Sequence, residues 1–74
     1  MKVNVTYHPH EVNLIEELCK FEGIEISFCY LDSALYKKYY KGHKPAIIID
    51  DESAVLYGFW QFAEYLMKNG YIRC

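Results

Sequence analysis

The stretch His8-Pro9-His10-Glu11 sets two imidazoles and a carboxylate within four positions. Imidazole titrates near neutrality, so it can accept a proton or, with a carboxylate, hold a divalent ion. His43, close to Pro45, is the one other histidine. These residue types suit zinc, but their spacing follows no ligand motif, and nothing else in the chain completes a general-base site. We therefore assign no metal, no cofactor and no catalytic residue. The plainer use of the stretch is a turn into a helix, with Pro9 at the entry, His8 as a cap and Glu11 at the positive end of the helix dipole.

The thiols give a similar answer. Cys19, Cys29 and Cys74 are an odd set that fits neither a paired disulfide framework nor a zinc knuckle. Cys19 falls on an apolar helical stripe and Cys29 alternates with aromatics, which is how small buried hydrophobes are distributed. Cys74 is expected to be exposed and open to adventitious disulfides between molecules. Reduced thiols, a start that turns polar within a few residues and the lack of a membrane-length apolar run lead us to expect a cytoplasmic protein with no membrane partner.

Charge narrows the partners further. The net charge is −2, which gives no global attraction to nucleic acid. Half of the eight cations lie between Tyr36 and Lys44, interleaved with tyrosines. We read them as a solvated helix face with the rings folded against a sheet. Acidic residues gather elsewhere, at Glu11, Glu16, Glu17, Glu22 and Glu25 and at Asp50, Asp51 and Glu52. Such sidedness favours oriented association with a protein, and the basic stretch suits an acidic one.

The elements that must position these groups follow from periodicity. Val3, Val5 and Tyr7 alternate with polar residues as a strand that stops at His8-Pro9. A helix is predicted from Pro9 on the spacing of Val12, Ile15, Leu18 and Cys19, with Gly23 as its stop. Residues 24–31 alternate again, with Ile24, Ile26, Phe28 and Tyr30 as one face. This βαβ unit predicts a parallel pair of strands. A short helix over 34–41, capped by Asp32 or Ser33, is predicted to end at Gly42. Residues 45–49 and 54–57 form a hairpin about an acidic turn. A closing helix carries Phe59, Phe62, Ala63, Leu66 and Met67 on one stripe and stops at Gly70. Seventy-four residues allow one domain, over residues 1–74.

The order β-α-β-α-β-β-α, with Pro45 opening the third strand and Gly58-Phe59 leading into the last helix, resembles the glutaredoxin branch of the thioredoxin-like superfamily. The resemblance spans nearly the whole chain and implies an α/β fold with a four-stranded mixed sheet and helices on both faces. It also implies a cis bond before Pro45. The family's Cys-Pro-x-Cys motif falls on His8-Pro9-His10-Glu11, so neither sulfur of a dithiol pair is present and dithiol oxidoreductase activity is not expected. Gly58-Phe59 is closer to the small redoxins than to the glutathione-binding members, whose second glycine and acidic residue are replaced here by Trp60 and Gln61. Lys44 departs from the small or apolar residue usual before the proline.

Together these point to a non-catalytic binding module that meets a protein partner at the rim of the former active site. That rim comprises His8, Pro9, His10, Glu11, Lys44, Pro45, Gly58 and Trp60. The alternative is a glutathione-dependent or other small-molecule enzyme of transferase type, in which Tyr7 and His8 serve a bound thiol; its polar anchors after Gly58 are weak.

Overall fold

A computed structural model describes residues 1–9 and 11–72. Alternating β-branched residues form β1 (Lys2–Thr6), which buries Val3 and Val5 on one face. The first helix, α1 (Val12–Glu22), turns its stripe of Val12, Ile15 and Cys19 inward. It ends at Gly23, whose φ of 70° is easily reached only without a Cβ. The Ile24 N–H then reaches back to the Cys19 carbonyl at 2.9 Å, closing the last turn. β2 (Glu25–Cys29) runs parallel to β1, as the βαβ pattern predicts.

The short α2 (Ala34–Tyr39) is capped by Ser33, whose hydroxyl accepts from the Tyr36 N–H at 3.0 Å. β3 (Ala46–Ile49) and β4 (Ala54–Tyr57) make the hairpin, and α3 (Gly58–Lys68) follows directly. The sheet order is β2-β1-β3-β4, with β1 antiparallel to β3 and β3 to β4. The protein is thus an α/β fold on a four-stranded mixed sheet.

Register arranges the core in two rows. Ile26, Val3, Ile49 and Ala54 lie side by side across the sheet, and Phe28, Val5, Ile47 and Leu56 form the next row. Ile15 and Cys19 of α1 and Phe62 and Leu66 of α3 join the same cluster. On the opposite face the buried Ala46 N–H donates to the Thr6 hydroxyl at 2.8 Å. Tyr57, whose side chain shares that face, donates its hydroxyl to the Tyr39 carbonyl at 3.1 Å and so ties α2 there.

Several expectations are corrected. The first helix begins at Val12 instead of Pro9, because Glu11 is its N-cap and makes no side-chain cap bond. β2 stops at Cys29, and the inward face beyond Phe28 is not continued: Cys29 is buried on the other side while Tyr30 is exposed. The second helix ends at Tyr39, where Tyr40 turns extended. Met67 lies at the exposed edge of its stripe. The bond before Pro45 is trans, as no cis peptide occurs among the described residues. Trans is the favoured isomer of such bonds by about 0.5–1 kcal/mol, and it leaves the Pro45 carbonyl bonded to the Gly58 N–H at 3.0 Å.

Three successive residues of the hairpin turn are left-handed, with φ of 40°, 53° and 71° at Asp50, Asp51 and Glu52. Aspartate tolerates this region better than most residues. Both ends of the turn are anchored. The Lys2 N–H donates to the Asp50 carboxylate at 2.9 Å, and Glu52 accepts from Lys38 Nζ at 2.8 Å and from the Tyr39 hydroxyl.

Candidate functional site

The rim residues do not form one surface; the turn after β1 divides them. His8 points inward and is only 6% exposed, so its ring belongs to the interior. Pro9 is exposed and lines a cleft on the α2 side. His10 lies outside the described residues. Glu11, Lys44, Gly58 and Trp60 meet in a groove of about 350 Å³ between the start of α1 and the start of α3.

Glu11 is the organising group of that groove. Its carboxylate accepts from the Phe59 N–H at 2.8 Å, at the N-terminus of α3, and makes no cap bond to its own helix. A carboxylate on a free helix N–H gains both a charge-assisted hydrogen bond and a favourable dipole interaction. The Gln61 side-chain carbonyl takes the Tyr57 N–H, two residues earlier, at 2.9 Å, and the Pro45 carbonyl takes the Gly58 N–H between them. Gly58 lies between these bonds at φ 84°, and a Cβ there would fall 2.9 Å from Lys44 Cδ and 3.3 Å from Glu11 Oε1. Glycine is therefore required for its backbone, and it also spares the Lys44 side chain a displacement.

What the groove offers outward is a cation and an indole. Lys44 is exposed, and among the described residues no ion pair engages it. Trp60 is 80% exposed and stands edge-on to Phe59, with ring centroids 5.5 Å apart. Pro45 is buried and contributes through its carbonyl, which fixes Gly58.

A second cleft, of about 360 Å³, lies across the turn from this groove. Tyr7, Pro9, Tyr30, Asp32, Tyr36 and Tyr40 are among its walls. The Tyr7 N–H donates to the Cys29 carbonyl at 3.0 Å, which extends the parallel ladder and brings Tyr7 beside Tyr30. Those rings stack at 6.1 Å, and Tyr36 and Tyr40 stack at 4.4 Å. Desolvation, and then the hydrogen bond and charge of the neighbouring Tyr40, hold the Tyr36 phenol above its ordinary value. Sequence reasoning missed this cleft because its rings come from three segments. Two signals could have found it: Tyr7 and Tyr30 follow the ends of a parallel strand pair, and Tyr36 and Tyr40 are four apart.

The remaining candidates offer less chemistry. Cys19 is fully buried, and burial, helped by the charge of Glu16, pushes its thiol up to about 11. Burial also raises the Cys29 thiol, so neither supplies a ready thiolate. Cys74 lies outside the described residues. Among the described residues no three His, Cys, Asp or Glu side chains gather as a metal site, and no helix is long and apolar enough to cross a membrane. Two lysines of the 36–44 stretch are engaged: Lys38 with Glu52, and Lys41 over the Tyr57 ring at 5.1 Å. A hollow of about 400 Å³ along α3, walled by Leu56, Tyr65 and Lys68, holds none of the candidate residues.

These features define an α/β protein with two surface clefts flanking the exit of its first strand. Compared with known proteins, the chain matches no family model, no curated protein and no solved structure.

Proposed function

We propose that the chain is a non-catalytic binding module of thioredoxin-like, glutaredoxin-type architecture that recognises a protein partner through the groove of Glu11, Lys44, Gly58 and Trp60. The observation that carries it is the commitment of the Glu11 carboxylate to the Phe59 N–H, which leaves Lys44 and Trp60 as the groups a partner meets. Support for the architecture comes from the element order, the mixed sheet, Pro45 directly before β3 and Gly58 at the junction with the last helix. The trans bond before Pro45 departs from the family pattern. An exposed tryptophan beside a cation has the composition of an interface anchor, and an acidic extended segment complements Lys44.

The test uses Trp60 as its own reporter. A short acetylated peptide rich in glutamate should shift its fluorescence saturably, and a lysine-rich peptide of equal length should not. Lys44→Glu should weaken binding of the acidic peptide by at least about tenfold. Unchanged affinity in that variant would refute the assignment. Glutathione, titrated by amide NMR alongside the acidic peptide, separates the two ligand classes: saturable amide shifts confined to Glu11, Lys44 and Gly58 with glutathione alone would replace a protein partner by a small molecule.

A further inference from the structure

Across the turn from Lys44, four tyrosines are held with their rings at the surface. Tyr7 is 50% and Tyr30 58% exposed, and Leu31 on the same cleft is 75% exposed. The two stacked pairs are nearly parallel, with interplanar angles of 24° for Tyr7 with Tyr30 and 17° for Tyr36 with Tyr40. They form ridges along an open cleft and do not box in a cavity. A small ligand needs roughly 70–90% of its surface buried, which walls this exposed do not supply. An extended chain lying across the ridges needs much less.

Hydrogen-bonding chemistry narrows the kind of chain. The tyrosine hydroxyls donate as well as accept, so the ring edges can serve carbonyl groups. A polyproline-II segment presents unpaired carbonyls and, at each proline, no N–H that would call for an acceptor. Its pyrrolidine rings are flat enough to lie between aromatic ridges, and its conformation is set before binding, which lowers the entropic cost. Charge supplies the second constraint. Asp32 is the one lining residue with a formal charge, and no ion pair engages it among the described residues. A carboxylate beside electron-rich ring faces favours a cation.

We infer that the cleft of Tyr7, Pro9, Tyr30, Asp32, Tyr36 and Tyr40 is a docking site for a proline-rich protein segment that carries an arginine next to its prolines. The prolines lie on the tyrosine ridges and the guanidinium meets Asp32. This site is separate from the Lys44 and Trp60 groove and stands whether or not that groove binds an acidic partner. The two surfaces call for ligand segments of opposite charge.

The experiment is an amide and aromatic NMR titration of the reduced full chain with a short acetylated peptide, arginine followed by two Pro-x-x-Pro repeats. Saturable shifts are expected at Tyr7, Tyr30, Tyr36 and Tyr40, with Lys44 and Trp60 unmoved. Replacing the peptide's prolines by alanine should weaken binding by at least about tenfold, and Tyr30→Ala should do the same. Asp32→Asn should weaken the arginine peptide several-fold and leave unchanged a peptide whose arginine is replaced by glutamine. Tyr30 is exposed enough that the alanine variant should fold, which its amide spectrum will show; Asp32→Asn tests the same cleft without altering a ring. The inference is overturned if the alanine peptide binds as tightly as the proline peptide, or if no shift saturates at millimolar peptide. It is equally overturned if tetramethylammonium chloride saturates the same tyrosine signals more tightly than the peptide, because the cleft would then be a cage for organic cations.

Discussion

The two clefts beside the exit of β1 are similar in size but are held by different forces. On the α3 side the geometry is backbone geometry: a glycine at φ 84°, two helix-entry N–H groups tied to Glu11 and Gln61, and the Pro45 carbonyl on Gly58. On the α2 side it is side-chain geometry, built from one stacked pair of rings on exposed positions, a second on half-buried ones, and a helix of six residues. The first kind of site has few tolerated substitutions and little freedom to adapt. The second can change its walls without disturbing the fold. A small domain can thus keep one rigid recognition surface while leaving its neighbour free to vary.

The largest effect should come from breaking the rigid side. Gly58→Ala imposes a left-handed backbone on a residue with a Cβ and crowds Lys44, and should cost about 2 kcal/mol in urea unfolding. Combining it with Lys44→Ala should recover only a small part of the loss, since the stem of Lys44 can move aside and the backbone cannot. Full recovery would show that crowding, not φ, requires the glycine.

Removing the carboxylate should be the next most costly change. Glu11→Ala leaves the Phe59 N–H without its partner and should lose about 1 kcal/mol, while Glu11→Gln keeps an acceptor and should lose less. Equal losses would mean that charge at the helix end, rather than the hydrogen bond, is what matters.

The α2 side responds to acid. Glu52 is held below the usual carboxylate value of 4.5, first by the hydrogen bond from Lys38 and then by that from Tyr39. Its folded form resists protonation, so its contribution is present above that value and is lost as pH falls through the lowered one. Amide shifts in α2 should record this as a small acid transition that Glu52→Gln abolishes. A transition that persists in the variant would locate the titrating group elsewhere. Smallest of all, Tyr30→Ala should change unfolding free energy by no more than about 0.5 kcal/mol, which calorimetry can check. A larger loss would mean that the ring supports the fold and that the contrast between the two clefts is false.

Element order was legible in the sequence because most elements carry a period or an apolar run, as in Val3 and Val5, Ile15 and Cys19, the run of β3, and Phe62 with Leu66, and the short α2 carries its cap. Boundaries were less so. Pro9 signals a helix start, yet Glu11 finds a stronger partner at Phe59, on an element made 48 positions later. Local capping rules cannot see that bond. The pairing of Glu11 with Lys44 and Gly58 was legible from the resemblance, but the inward turn of His8 was not, since alternation gives no direction once a strand has ended. Tyr30 was placed on the face of Ile26 and Phe28 for the same reason, although β2 ends at Cys29, which is buried, and Tyr30 is exposed.

The central position of β1 also bears on synthesis. Val3 and Val5 are made first, yet one flank of their strand is completed only by Ile47 and Ile49, and Phe62 and Leu66 of their cluster come later still. A chain emerging from the ribosome therefore carries its innermost strand with an open, apolar edge until nearly all of this sequence has been made. Folding of this domain should wait for α3, and the interval before α3 emerges is when the nascent chain most needs a chaperone.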